Sequence, residues 1–168
     1  MSGAAPESST LVEAARCLLS AAQERGLTIA VAESLTGGLL ADAFVRVPGA
    51  SQVFRGGVCA YAADAKASVL GVDADRLAST GPVDEGVALG MARGVRRMFG
   101  ADVALATTGV AGPGPADGHE AGTVWVAVDS ARGSRAALAR FPGGREDVRR
   151  AAVRRAVDLL QGELERTR

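Results

Sequence analysis

TIAVAESLTGGLLADAF, residues 28–44, sets a strand, a turn and a helix in immediate succession. Its first five residues are apolar throughout, with β-branched Ile29 and Val31, the composition of a strand covered on both faces of its sheet. Glu33-Ser34-Leu35-Thr36-Gly37-Gly38 then breaks the pattern, and helical spacing resumes through Leu39, Leu40, Ala43 and Phe44 before Pro48-Gly49. Ser34 therefore falls on a turn at the carboxyl end of a central strand, where open α/β sheets collect ligands.

A second stretch repeats the design. VALAT at 103–107 is again short and apolar, and it runs into Thr108-Gly109-Val110-Ala111-Gly112-Pro113-Gly114-Pro115, so both loops are expected to line one pocket. Between them, 53–61 is a strand candidate broken by Gly56-Gly57, delivering Tyr61 and then Lys66 on a short helical segment. Leu11, Ala14, Ala15, Leu18, Leu19 and Ala22 recur at helical spacing up to Gly26. A further helix is expected over 82–100, with Val87, Met91, Val95 and Met98 inward. Segments 123–128 and 134–141 read as strands joined by a hairpin turn over 129–133. The arginine-rich segment 145–164 places Val148, Ala152, Val153, Ala156, Leu159 and Leu160 on one helical face. This order predicts a single α/β domain over residues 9–168, after a flexible start at 1–8: three α/β/α layers around a mixed, mostly parallel sheet.

Composition narrows the function. The 168 residues suit one core. Formal net charge is zero and the basic residues are scattered apart from the last helix, so nucleic acid is not an expected partner. Neither a secretory leader nor a membrane span is read in the chain. Two cysteines, Cys17 and Cys59, make a disulfide framework improbable and point to a reducing, cytoplasmic setting. No Cys/His clustering suggests a metal.

Of the 19 basic residues all but Lys66 are arginine. Arginine stays charged at any ordinary pH, so a position that keeps lysine suits a nitrogen able to become neutral and act as a base. Ser34 needs such a partner to become a nucleophile, and the sole histidine, His119, lies in a Gly-rich loop without a visible orienting partner. A serine with a neutral lysine is a known substitute for the Ser-His-Asp triad, and Tyr61 offers a hydroxyl to relay the proton. Ser34 also suits an N-cap, Tyr61 a core-edge aromatic, and Arg145 a solvated charge. Tyr61 and Lys66 stand five apart without G-x-G-x-x-G, which excludes the short-chain dehydrogenase arrangement. P-loop and G-x-S-x-G signatures are absent too.

AESLTGGLLA (32–41), VPGAS (47–51), GGVCAYAADAK (56–66), LGV (70–72), TGPV (80–83), MARG (91–94), TTGVAGP (107–113), GTVWVA (122–127) and GGREDVR (143–149) together resemble the CinA C-terminal domain family. Its enzymatic members are nicotinamide-nucleotide amidohydrolases. The resemblance implies a cytoplasmic, self-associating enzyme without metal or organic cofactor that hydrolyses nicotinamide mononucleotide (NMN) to nicotinate mononucleotide and ammonia, in pyridine-nucleotide recycling. Ser34 matches the family's nucleophile, and Tyr61 and Lys66 its activating pair. Glu33, Thr36, Gly37 and Gly38 fall at the expected oxyanion and substrate positions, and Thr108, Gly109, Ala111, Gly112 and Arg145 at those expected to hold the nucleotide. Ala62-Ala63 replace a frequent Ser-Asn, Asp84 a frequent serine, and Gly144 an acidic residue or asparagine. The alternative expectation is a nucleotide-binding or regulatory domain that keeps the pocket without catalysis.

Overall fold

The computed structural model describes residues 7–166. The flexible start expected over 1–8 lies outside the described residues up to residue 6. Helix α1 (Glu7–Glu24) leads into strand β1 (Ile29–Glu33), helix α2 (Leu39–Val45), a 3₁₀ turn at Ala50–Gln52 and strand β2 (Phe54–Cys59). Helices α3 (Ala63–Leu70), α4 (Ala74–Thr80) and α5 (Glu85–Phe99) come next. Strands β3 (Val103–Gly109), β4 (Thr123–Ser130) and β5 (Gly133–Arg140) and helix α6 (Arg145–Glu165) complete the order.

The sheet runs β2-β1-β3-β4-β5. β1 pairs in parallel with both β2 and β3, whereas β4 is antiparallel to β3 and β5. Only β4 therefore opposes the common direction, and the sheet is mixed as expected.

Side chains alternate strictly along the central strands. Ile29, Val31, Val103, Leu105, Val124, Val126 and Val128 pack toward α1, α2 and α6. Ala30, Ala32, Ala104, Ala106 and Ala127 face α3 and α5. An alanine surface lets a helix lie close to the sheet, and the crowding continues beyond it. A Cβ at Gly94 of α5 would sit 2.0 Å from the Leu70 carbonyl oxygen of α3. Because that oxygen is backbone, it yields only if α3 moves. Gly94→Ala is expected to cost about 2–3 kcal/mol of stability, read as a lowered Tm. An unchanged Tm would show that the two helices can separate freely.

Three sequence readings change. Met98 is 47% exposed rather than inward. The helix expected from residue 82 opens at Glu85 instead, because Asp84 is extended and its carboxylate caps Val87 N–H at 3.1 Å; Arg76 grips the same carboxylate and holds it below the usual aspartate range. Asp84 thus performs the capping that serine would perform at this position. Helix α4 has no counterpart in the sequence reading, although Asp73 caps it through Asp75 and Arg76 N–H and Gly81 lies just past its end. Among the described residues no helix is long and apolar enough to cross a membrane.

Candidate active site

Strand β1 sets the site through its register. Ser34 N–H continues the parallel ladder to Thr107 O at 3.0 Å, and Ala60 N–H reaches Glu33 O at 2.9 Å, bringing the ends of β1, β2 and β3 to one corner. Helix α3 starts just beyond and carries Lys66 back under Ser34. Its cap residue Ala62 has no side-chain acceptor, so the residues found in place of Ser-Asn leave this helix start to Asp64, whose carboxylate takes Ala65 N–H at 2.9 Å.

Lys66 is 1% exposed. Its Nζ lies 3.0 Å from Ser34 Oγ, 2.8 Å from Ala60 O and 3.2 Å from Tyr61 O. Among the described residues no carboxylate lies within ion-pair distance of it. Burial pulls its pKa below the ordinary lysine value, against weaker opposite pushes from Cys59 and Asp117. Nζ donates to the two carbonyls, and its third position meets the Ser34 hydroxyl, to which it donates when charged and from which its lone pair accepts when neutral.

The turn after Ser34 differs from expectation. Glu33, 1% exposed, points its carboxylate at the start of α2, taking Gly38 and Leu40 N–H at 3.0 Å and Ala41 N–H at 2.9 Å. It is a helix cap rather than a substrate contact. Gly38 N–H is thereby occupied, and Gly37 N–H is bound to Ser34 O at 3.1 Å, so neither is free for an oxyanion. Among the described residues no partner takes the N–H of Leu35 or Thr36, which leaves these as the donors beside Ser34. The fully buried Thr36 uses its hydroxyl on Thr107 at 2.8 Å.

Arg149 of α6, not singled out in the sequence, braces this turn. Its guanidinium donates to Leu35 O at 2.9 Å and Thr36 O at 3.0 Å. Since a trans peptide sets C=O and N–H on opposite sides, fixing Leu35 O turns Thr36 N–H away from α6.

A cavity of about 210 Å³ opens above Ser34 and Lys66. Of the expected residues, Ser34, Tyr61, Lys66, Thr108, Gly109, Ala111, Gly112 and Arg145 line it; Glu33, Thr36, Gly37 and Gly38 do not. Arg145 donates to Tyr61 Oη and to Gly112 O, each at 2.7 Å. The Tyr61 hydroxyl thus sits on Arg145, and it is the Tyr61 carbonyl that meets Lys66; of the two expected routes for the Ser34 proton, directly to Lys66 or through Tyr61, this geometry suits the direct one. Thr108 spends its hydroxyl on Pro82 O at 2.7 Å. Gly109 lets β4 approach, since a Cβ there would lie 2.5 Å from Thr123 O. Asp117 also lines the cavity; its sequence signal was the Asp-Gly pair inside the Gly/Pro loop.

A larger cavity of about 440 Å³ between α1, α2 and α6 contains no nucleophile beside a base, so chemistry rather than size selects the site. Among the described residues no cluster of three or more His, Cys, Asp or Glu could hold a metal.

Comparison with known proteins agrees with this fold. The model of the CinA C-terminal domain matches residues 12–164. A CinA-like protein of Frankia casuarinae is 48% identical over 138 residues, 82% of this chain and 32% of its own length. A putative competence-damage inducible protein of Desulforamulus reducens is 46% identical, over 83% of this chain and 35% of its own. The chain thus spans about a third of the length of these curated relatives. Among solved structures, a CinA superfamily protein from Klebsiella pneumoniae superposes with a TM-score of 0.89 at 36% identity, covering 93% of this chain and 98% of the other. The competence/damage inducible protein CihA of Agrobacterium tumefaciens gives 0.89 at 35%, covering 98% and 99%. With its whole folded core inside that match, the chain belongs to the CinA C-terminal domain family.

Proposed function

We propose that this domain is an amidohydrolase that converts NMN to nicotinate mononucleotide and ammonia. One observation carries the reading: a buried lysine amine, paired with no carboxylate among the described residues, 3.0 Å from a serine hydroxyl at the floor of a cavity. That is the geometry of an activated nucleophile.

Ser34 Oγ attacks the carboxamide carbon while its proton passes to Lys66 Nζ. The oxyanion forms beside the Leu35 N–H, the unspent donor of the turn whose residue lines the cavity. Lys66 then protonates the departing nitrogen, ammonia leaves, and an acyl-Ser34 ester remains. Water, deprotonated by the same amine, attacks the ester; Ser34 Oγ leaves with that proton, and the released acid ionises to the carboxylate, its proton taken up by ammonia. The sum is carboxamide plus water to carboxylate and ammonium. Arg145 at the cavity edge meets the nucleotide phosphate, and the Tyr61 ring forms a wall. Cytoplasmic location and self-association belong to this reading through the family resemblance.

The test is release of ammonia and nicotinate mononucleotide from NMN by the purified protein. Thermal stabilisation by the nucleotide without ammonia would instead mark a binding domain. Since Tyr61 Oη orients Arg145 rather than Lys66, Tyr61→Phe is expected to raise KM while lowering kcat by less than about threefold. A relay role would lower kcat by about a hundredfold or more, so steady-state kinetics separates the two.

A further inference from the structure

The Gly/Pro loop carries a small hairpin over the cavity. Ala116 and His119 exchange both backbone hydrogen bonds, each at 2.9 Å, and the two residues between them, Asp117 and Gly118, have φ of 51° and 76°. Positive φ at both central positions is the type I′ turn for which Asp-Gly is suited. The tip rests against the end of α4, with Asp117 Cβ 3.9 Å from where a Cβ on Gly81 would lie. Asp117, solvent-exposed at the turn tip, thus lines the cavity, and its carboxylate makes no hydrogen bond or ion pair with another described residue. Its charge is nonetheless felt at Lys66.

We propose that Asp117 makes this pocket selective for a nucleotide whose carboxamide ring is positively charged over one with a neutral ring, an inference that rests on the amidohydrolase reading. The cavity wall holds one fixed cation, Arg145, and one carboxylate, Asp117. A pyridinium nucleotide carries the complementary pair, an anionic phosphate and a cationic ring. With its phosphate on Arg145, the ring charge remains to meet Asp117. A neutral ring entering the same pocket strips water from the carboxylate without replacing its partner, which disfavours that ligand.

The test is calorimetric binding in a Ser34→Ala background, where no turnover intervenes, of two ligands: NMN and benzamide riboside 5′-phosphate, which keeps ribose, phosphate and carboxamide on a neutral ring. Asparagine also favours the type I′ turn, so Asp117→Asn preserves the hairpin. The expected result is tighter binding of the cationic ligand, weakened about fivefold by Asp117→Asn, with the neutral ligand bound more tightly by the variant because the carboxylate no longer has to lose its water. Equal losses for both ligands would assign Asp117 to the shared ribose, and no loss for either would assign it no contact; each overturns the inference. If the wild type still hydrolyses NMN in those cases, the amidohydrolase reading stands alone. Binding of neither ligand, with no wild-type turnover, overturns both.

Discussion

Ser34→Ala is expected to reduce ammonia release from NMN by about a thousandfold or more, while nucleotide affinity changes little. The hydroxyl is the one group in the cavity that can form an acyl intermediate next to a base, and what remains after its removal is positioning and any oxyanion stabilisation. Loss of Oγ also removes one of three partners of Lys66 Nζ but leaves Ala60 O and Tyr61 O in place, so the lysine should keep its position. The decisive pair of measurements is kcat and a calorimetric Kd on the same preparation. Turnover within tenfold of wild type would remove Ser34 as nucleophile and point to direct attack by water. A variant with neither turnover nor binding would indicate a collapsed pocket, which thermal unfolding would reveal.

Lys66→Arg is expected to be nearly as damaging, about a thousandfold in kcat/KM, for a different reason. Arginine retains the positive charge and its donors but offers no lone pair at any working pH, so it can fill the slot without accepting the Ser34 proton. If the lysine acted only as a cation, arginine would rescue much of the rate. The pH profile gives a second readout. A neutral-amine base, as proposed, makes wild-type kcat/KM rise with pH through the Lys66 pKa. Burial lowers that pKa, and the plateau should therefore begin at lower pH than an exposed lysine, near 10.4, would allow. A profile flat through the neutral and alkaline range, or falling with pH, would contradict a neutral-lysine base.

Much of this corner was legible in the chain because its signals are local. The apolar runs IAVA and VALA mark strands buried on both faces, and the residues directly after such strands lie at the sheet's carboxyl edge; Ser34 and the Thr108–Gly112 loop are found there. Lys66 stood out because arginine fills the other basic positions. The Asp129-to-Gly133 hairpin and the inward face of α6 also arise from short-range pattern, and Val148, Ala152, Val153, Ala156 and Leu160 are all buried. Met98 escaped because helical spacing alone cannot say where α5 runs past the edge of its sheet.

What the sequence by itself determined was which segments are strands and helices, the layer order they imply, and the residue types able to do chemistry at one end of the sheet. The tertiary structure alone decided which polar atoms are still available there. Glu33, which sequence reading placed against the substrate, is turned by the pleat of β1 onto the amides of α2, and this occupies Gly38 N–H and shifts the free donors to Leu35 and Thr36. Tyr61 meets Lys66 by its carbonyl because Arg145, 84 residues away, claims its hydroxyl. Arg149 and Asp117 join the site from distant segments, and neither GGREDVR nor the Asp-Gly pair says by itself what those side chains will meet. Hydrophobic periodicity is set by neighbours a few residues apart, whereas a hydrogen-bond donor is free or spent according to partners that only folding brings within 3 Å.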